Sequence, residues 1–156
     1  MKKTAVIICV ILLIVSVFSG CKNNDNKVID IDELSSRLLN EIEYQDEMAE
    51  IELDVLDKFY DIETDIINKC KVYKSASGAT AEEIAVFEAK SLSDINAIKA
   101  AVSKRVDDLK SSFEDYIPAE LEKLGKAKAA VIGRYVILFI VNDVDTARSI
   151  VDDYIY

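Results

Sequence analysis

The sequence predicts an α+β domain built on a mostly antiparallel four-stranded sheet, in ββαββα order, with N-terminal helices before it and helices as cover. Three observations carry that prediction. Two pairs of β-rich runs are each joined by a glycine-bearing turn, SASGAT and Gly133-Arg134. Between the pairs lies one long apolar stripe of helical period, from Ile95 to Phe113. A single proline, Pro118, and a glycine, Gly125, then bracket a short segment before the second pair begins.

The elements follow in chain order. Lys2 and Lys3, an apolar run from Ala5 to Phe18 broken only by Ser16, and Phe18-Ser19-Gly20-Cys21 have the order of a secretory signal closed by a lipoprotein box. Phe18 is bulkier than the Leu, Val or Ile usual at its place. The run is about 15 residues, short of the roughly 20 that span a bilayer core, which sets cleavage between Gly20 and Cys21 ahead of an uncleaved anchor. Cys21 is therefore the expected site of lipid attachment, and a diacylglyceryl group there supplies the two chains that stable membrane anchoring needs. Residues 1–20 form the signal, 21–29 a polar tether containing KNNDNK, and 30–156 a single α+β domain. These features place the mature protein on the outer face of the cell membrane.

From Asp30, the apolar positions Ile31, Leu34, Leu38 and Ile42 predict a first helix, with Asp30 and Glu33 resembling a capping box. A second short helix fits Asp54 to Tyr60, although the preceding ELDVL reads equally well as extended. Ile66 to Lys74 alternates as a half-buried strand and Glu83 to Lys90 forms its hairpin partner, with Gly78 in the turn supplying positive φ. Ser93 to Tyr116 predicts the long helix, capped by Ser93, with Ile95, Ile98, Val102, Val106, Leu109 and Phe113 on its stripe. Pro118 begins a brief helix to Leu124, with Gly125 just past its end. KAKAAVI and YVILFIV then form a second hairpin, and Asp143 starts a terminal helix. Tyr135 to Val141 is apolar at every position, so both faces of that strand need cover. The expected arrangement puts the long and terminal helices on one face and the N-terminal helices on the other; the alternative is an apolar surface left open for a partner.

Composition excludes several functions. Formal charge is −10 over 156 residues, and the signal holds two of the lysines, so the mature part carries −12. That acidity opposes nucleic-acid binding, which depends on cations displacing condensed counterions. Histidine and tryptophan are absent. Histidine triads and histidine-ligated zinc sites are thereby removed. Cys9 leaves with the signal and Cys21 is taken by lipid, so Cys70 stands alone, and its strand context suggests a buried, unreactive thiol.

The remaining constellations are modest. Asp30/Asp32, Asp143/Asp145 and Asp152/Asp153 are carboxylate pairs, but NDVDTARSIVDD lacks the glycine and distal glutamate of a calcium loop. Lys74 beside Ser75 and Ser77 could suggest a serine-lysine nucleophile, yet a Ser-Gly turn accounts for the same residues. Arg105 and Arg134 are expected to be solvated, or else to meet a partner. No catalytic, cofactor-binding or metal-ligating residue is assigned.

Four phrases in order, YKSASGATAEEIAVFEAK, SKRVDDL, DYIPAELEKL and GRYVILFIVND, resemble the bacterial lipoprotein family called domain of unknown function 4358, found mainly in Gram-positive anaerobes. The likeness spans roughly Asp32 to Tyr156. It implies lipid attachment at Cys21 and an extracytoplasmic location, and transfers no activity, substrate or catalytic residue. The expected role is thus a non-catalytic binding or assembly module of the cell envelope. It would meet the membrane through its lipid and an exported protein or envelope component through its body. The alternatives are an envelope enzyme using carboxylate chemistry and a carrier of a small apolar ligand.

Overall fold

The computed structural model describes residues 28–155, an α+β arrangement around one antiparallel sheet. Gly20 and Cys21, with the expected signal and most of the expected tether, lie outside the described residues. Helix α1 (Ile31–Glu41) begins where sequence places it, because the Asp30 carboxylate accepts the backbone N–H groups of Asp32 at 3.0 Å and Glu33 at 3.2 Å. Strand β1 (Met48–Glu50) and helix α2 (Asp57–Tyr60) follow, and α2 stops at Asp61, whose φ of 49° is left-handed. Strands β2 (Ile67–Ser75) and β3 (Glu83–Ala89) form the first hairpin, with Gly78 at φ 73° in its loop.

Helix α3 (Ile95–Glu114) has 20 residues and so runs about 30 Å at 1.5 Å per residue. It enters through a short 3₁₀ turn, Leu92–Asp94, closed by a reciprocal capping box between Ser91 and Asp94. The cap expected at Ser93 is therefore at Ser91, since the extra turn moves the helix start back; Ser93 instead bonds the Ser91 hydroxyl at 2.6 Å. Helix α4 (Glu120–Gly125) leads to the second hairpin, β4 (Lys128–Ile132) and β5 (Tyr135–Ile140), turned at Gly133 with φ 54°. Helix α5 (Val144–Asp152) closes the described fold, its N-terminus capped by Asp143 accepting from the Thr146 N–H at 3.0 Å.

The strand order is β1-β2-β3-β5-β4, every neighbouring pair antiparallel. The sheet is five-stranded rather than four-stranded. The additional strand, β1, is three residues long, too short to show alternation in sequence, and it exists because Met48 to Glu50 pair with Ser75 to Tyr73 on the free edge of β2. The four expected strands keep their expected pairing.

Central strands β3 and β5 are buried at every position. On one face Ala85, Phe87, Val136, Leu138 and Ile140 meet Leu56 and Tyr60 of the α2 region and the α3 stripe. On the other, Ile84, Val86, Tyr135, Ile137 and Phe139 meet Ile31, Leu34 and Leu38 of α1 and Ala147, Ile150 and Val151 of α5. Both faces of the Tyr135–Val141 run are thus covered, but the partition differs from expectation: α5 shares its face with α1, and α3 shares its face with α2. Val141 and the turn at Asn142-Asp143 decide this, because Val141 packs with the α1 core and directs the chain to that side.

Two independent cores on one sheet make comparable demands. Leu38 is fully buried on the α1 face and Leu138 nearly so on the α3 face. Each truncation to alanine should cost about 2–5 kcal/mol, read as a lower urea midpoint with an unchanged slope. A loss confined to Leu138→Ala would show that α1 and α5 are a dispensable layer.

Candidate functional site

Burial of β3 on both faces makes its carboxylates the principal electrostatic feature of the fold, because a buried charge is tolerated only when paired and hydrogen-bonded. Glu82 and Glu83 stand at its head, Glu88 near its end, and all three are buried. Neighbouring residues of a strand face opposite ways, so Glu82 and Glu83 belong to two different clusters.

Glu83 faces α3. The Arg105 guanidinium grips it in a fork, Nη2 to Oε2 at 2.6 Å and Nε to Oε1 at 3.1 Å, while the Tyr60 hydroxyl donates to the same Oε1. Arg105 also lies 5.5 Å above the Phe59 ring and 5.9 Å from that of Tyr60, and Tyr60 meets Phe87 edge-on at 5.2 Å. Burial opposes the charge on Arg105, but its bonds and attraction to Glu83 more than offset that and hold its pKa above the arginine norm. Burial, reinforced by the neighbouring Glu83 charge, pushes the Tyr60 phenol well up. Arg105 is therefore not the solvated arginine expected from sequence. Its position three residues after Val102 and four before Leu109 turns it onto the buried stripe.

Glu82 faces the loop after α1. It accepts the Gln45 backbone N–H at 2.9 Å, the Thr80 hydroxyl at 3.0 Å and the Asn142 amide at 3.3 Å. The Lys123 ammonium, on α4, lies 3.5 Å from Glu82, 2.9 Å from Glu120 and 2.8 Å from the Gln45 side-chain oxygen. Glu120 in turn accepts the Ala81 N–H at 2.8 Å. One lysine thus ties two buried carboxylates, the α1–β1 loop, the β2–β3 loop and α4 together. A solvent-open cleft of about 230 Å³ adjoins this cluster, lined by Gln45, Glu120, Lys123, Lys126 and Asn142.

At the other end of β3, Glu88 accepts from Asn68 at 2.7 Å and from Tyr135 at 3.3 Å, and pairs with Arg134. Arg134 is 42% exposed, so it straddles the surface as an ion-pair partner. The arrangement can hold loops in place, and both oxygens of Glu82, Glu83 and Glu88 accept hydrogen bonds.

Most of the other residues singled out from sequence make contacts within the fold. Cys70 is half-buried opposite Phe87, and burial pushes its thiol up. The Ser75 and Ser77 hydroxyls both donate to Asp46, and the Lys74 ammonium bonds the Ser75 carbonyl oxygen at 3.0 Å, so the serine-lysine pair is a stabilised turn. Asp30 and Asp143 are helix caps; Asp32 pairs with Lys69 and Asp153 with Arg37. Among the described residues no group of His, Cys, Asp or Glu is placed to hold a metal ion. Glu82, Glu83, Glu120, Lys123 and Asp46 went unmarked in the sequence. The available signal was EEIAVFEAK, an apolar run bracketed by glutamates in a strand that must be covered on both sides.

A family model described as domain of unknown function (DUF4358) matches residues 40–141. No curated protein and no solved structure matches the chain.

Removing Arg105 strands the Glu83 charge in the core. Arg105→Met should therefore destabilise by about 3–5 kcal/mol, and adding Glu83→Gln should restore a large part of that loss in a double-mutant cycle. Additive losses would mean the pair is not coupled. Asp46 supplies an acid-sensitive contact: its hydrogen bonds from Ser75 and Ser77 hold its carboxyl well below the ordinary value of 3.8. A depressed folded-state pKa contributes stability that is present above that ordinary value and is lost as pH falls below it. Asp46→Asn should accordingly flatten the acid limb of the stability profile below about pH 4 and leave its neutral-to-alkaline shape unchanged.

Proposed function

The chain belongs to the DUF4358 family, and from that premise we propose that it is a membrane-anchored, extracytoplasmic lipoprotein acting as a non-catalytic binding or assembly module of the cell envelope. The observation that carries the reading is the closeness of the packed body to the proposed lipid site. Ile29 and Ile31 are already buried in the α1 core, eight and ten residues after Cys21. Even fully extended at about 3.5 Å per residue, that link holds the body within about 30 Å of an acylated Cys21. Two acyl chains suffice for a stable hold, and the net negative charge keeps the body off an anionic surface.

The rest of the molecule suits a rigid presenting frame. Both cores are filled by their own side chains, and the buried carboxylates are matched to cations and hydrogen-bond donors within the fold. No helix of the described residues is long and apolar enough to cross a membrane.

Cys21→Ser should shift the protein from the membrane fraction to the soluble fraction, and mass spectrometry of the wild-type N-terminal peptide should find the thiol acylated and its new amine at Cys21. Membrane-fraction protein with an unmodified Cys21 overturns the assignment. Crosslinking in intact cells should join the body to a protein or envelope polymer; bulk lipid as the sole neighbour counts against an assembly role.

A further inference from the structure

Strand β4 ends the sheet, and no described strand pairs with its outer edge. Its hairpin to β5 turns on two residues, which makes Ile132 and Tyr135 a mutually hydrogen-bonded pair and, by alternation, Ala130–Ile137 and Lys128–Phe139 likewise. The other side of β5 agrees with this phase, since the Ala89 N–H bonds the Arg134 carbonyl oxygen at 2.9 Å, two residues out of step with Val136–Phe87. The N–H and C=O groups of Ala129 and Val131 therefore point outward, away from the sheet. Edges are normally blunted by shortness, charge, proline or a bulge. The opposite edge, β1, is only three residues long. KAAVI, by contrast, carries its one charge, Lys128, at its first residue, has no proline, pairs with β5 in unbroken register, and leaves Val131 43% exposed.

Beside this edge, on the α3 side, lies a cleft of about 310 Å³ with an apolar floor of Val102, Val106, Ala129 and Leu138. Lys99, Lys110 and Lys128 line it against one carboxylate, Asp107, which already bonds Lys110 at 3.2 Å. A cationic surplus here departs from a chain of net charge −10. Resting on the binding-module reading, we infer that the β4 edge docks an extended, acidic segment of a partner protein by strand addition. The outward amides of Ala129 and Val131 would supply main-chain hydrogen bonds, the cleft would take an apolar side chain, and the lysines would select flanking carboxylates. A second copy of this chain is the less suitable occupant, because two-fold pairing of β4 strands would bring the lysine-lined clefts of both copies together.

The probe is a capped seven-residue peptide of alternating valine and threonine with aspartate at each end, compared with its lysine-ended counterpart. Both are added to the full chain in neutral-lipid nanodiscs, and amide hydrogen exchange is followed. The aspartate-ended peptide should slow exchange across residues 127–132 by at least about tenfold at saturation and bind at least about tenfold tighter than the lysine-ended one. Val131→Pro removes an outward N–H and no hydrogen bond of the β4–β5 ladder, so it should abolish the protection; Lys99→Glu with Lys128→Glu should reverse the charge preference and serves if the proline variant does not fold. No protection of 127–132, equal affinity for both peptides, or protection without peptide in a dimeric species each overturns the inference. Such a result leaves the membrane-anchored reading to be judged by the Cys21 fractionation alone.

Discussion

Everything in this fold answers to the burial of strands β3 and β5 on both faces. A strand pair with no solvated side needs apolar cover above and below, and it needs a counter-charge wherever a carboxylate falls inside it. The first need places α2 and α3 on one face and α1 and α5 on the other. The second recruits Arg105 from α3, Lys123 from α4 and Arg134 from the β4–β5 turn to the glutamates of the β3 strand and the residue before it. Counter-charge and cover come from the same elements, so electrostatics and packing select one topology together.

Adjacent residues with opposite allegiances make the head of β3 a junction. Glu83 locks the α3 layer through a forked guanidinium, whereas Glu82 locks the loop after α1 through backbone amides and Lys123. Breaking a buried pair by removing one partner costs far more than the pair contributes in net terms. These clusters therefore specify where loops and helices sit more than they add stability. The outer margins of the sheet, β1 and β4, lie to either side of these clusters.

Those margins are unequal. β1 is brief and its flank continues into ordered loops tied by Asp46 and Glu82, while β4 presents a longer apolar edge with lysines beside it. In the proposed reading, a body tethered through Cys21 with the β4 edge unpaired would be suited to capture an extended chain in the same narrow space.

Periodicity in the sequence determined most of the elements by itself: the α1 cap at Asp30, both hairpins with Gly78 and Gly133, the stripe of α3, and the four long strands with their pairing. These depend on residues within a turn or a hairpin of one another, where spacing along the chain is spacing in space. The proposed export signal of residues 1–20 is read from the same kind of local order, a charged start, an apolar run and small residues before Cys21. Tertiary structure alone decided the third dimension. β1 exists only because an edge of β2 was free to pair with it, α5 joined α1 because the chain leaves β5 on that side, and Arg105 became a buried partner because Glu83 waits beneath α3. Each of those outcomes joins residues more than twenty positions apart, and which long-range partner wins is settled by burial and charge compensation in the packed state, which no local pattern records.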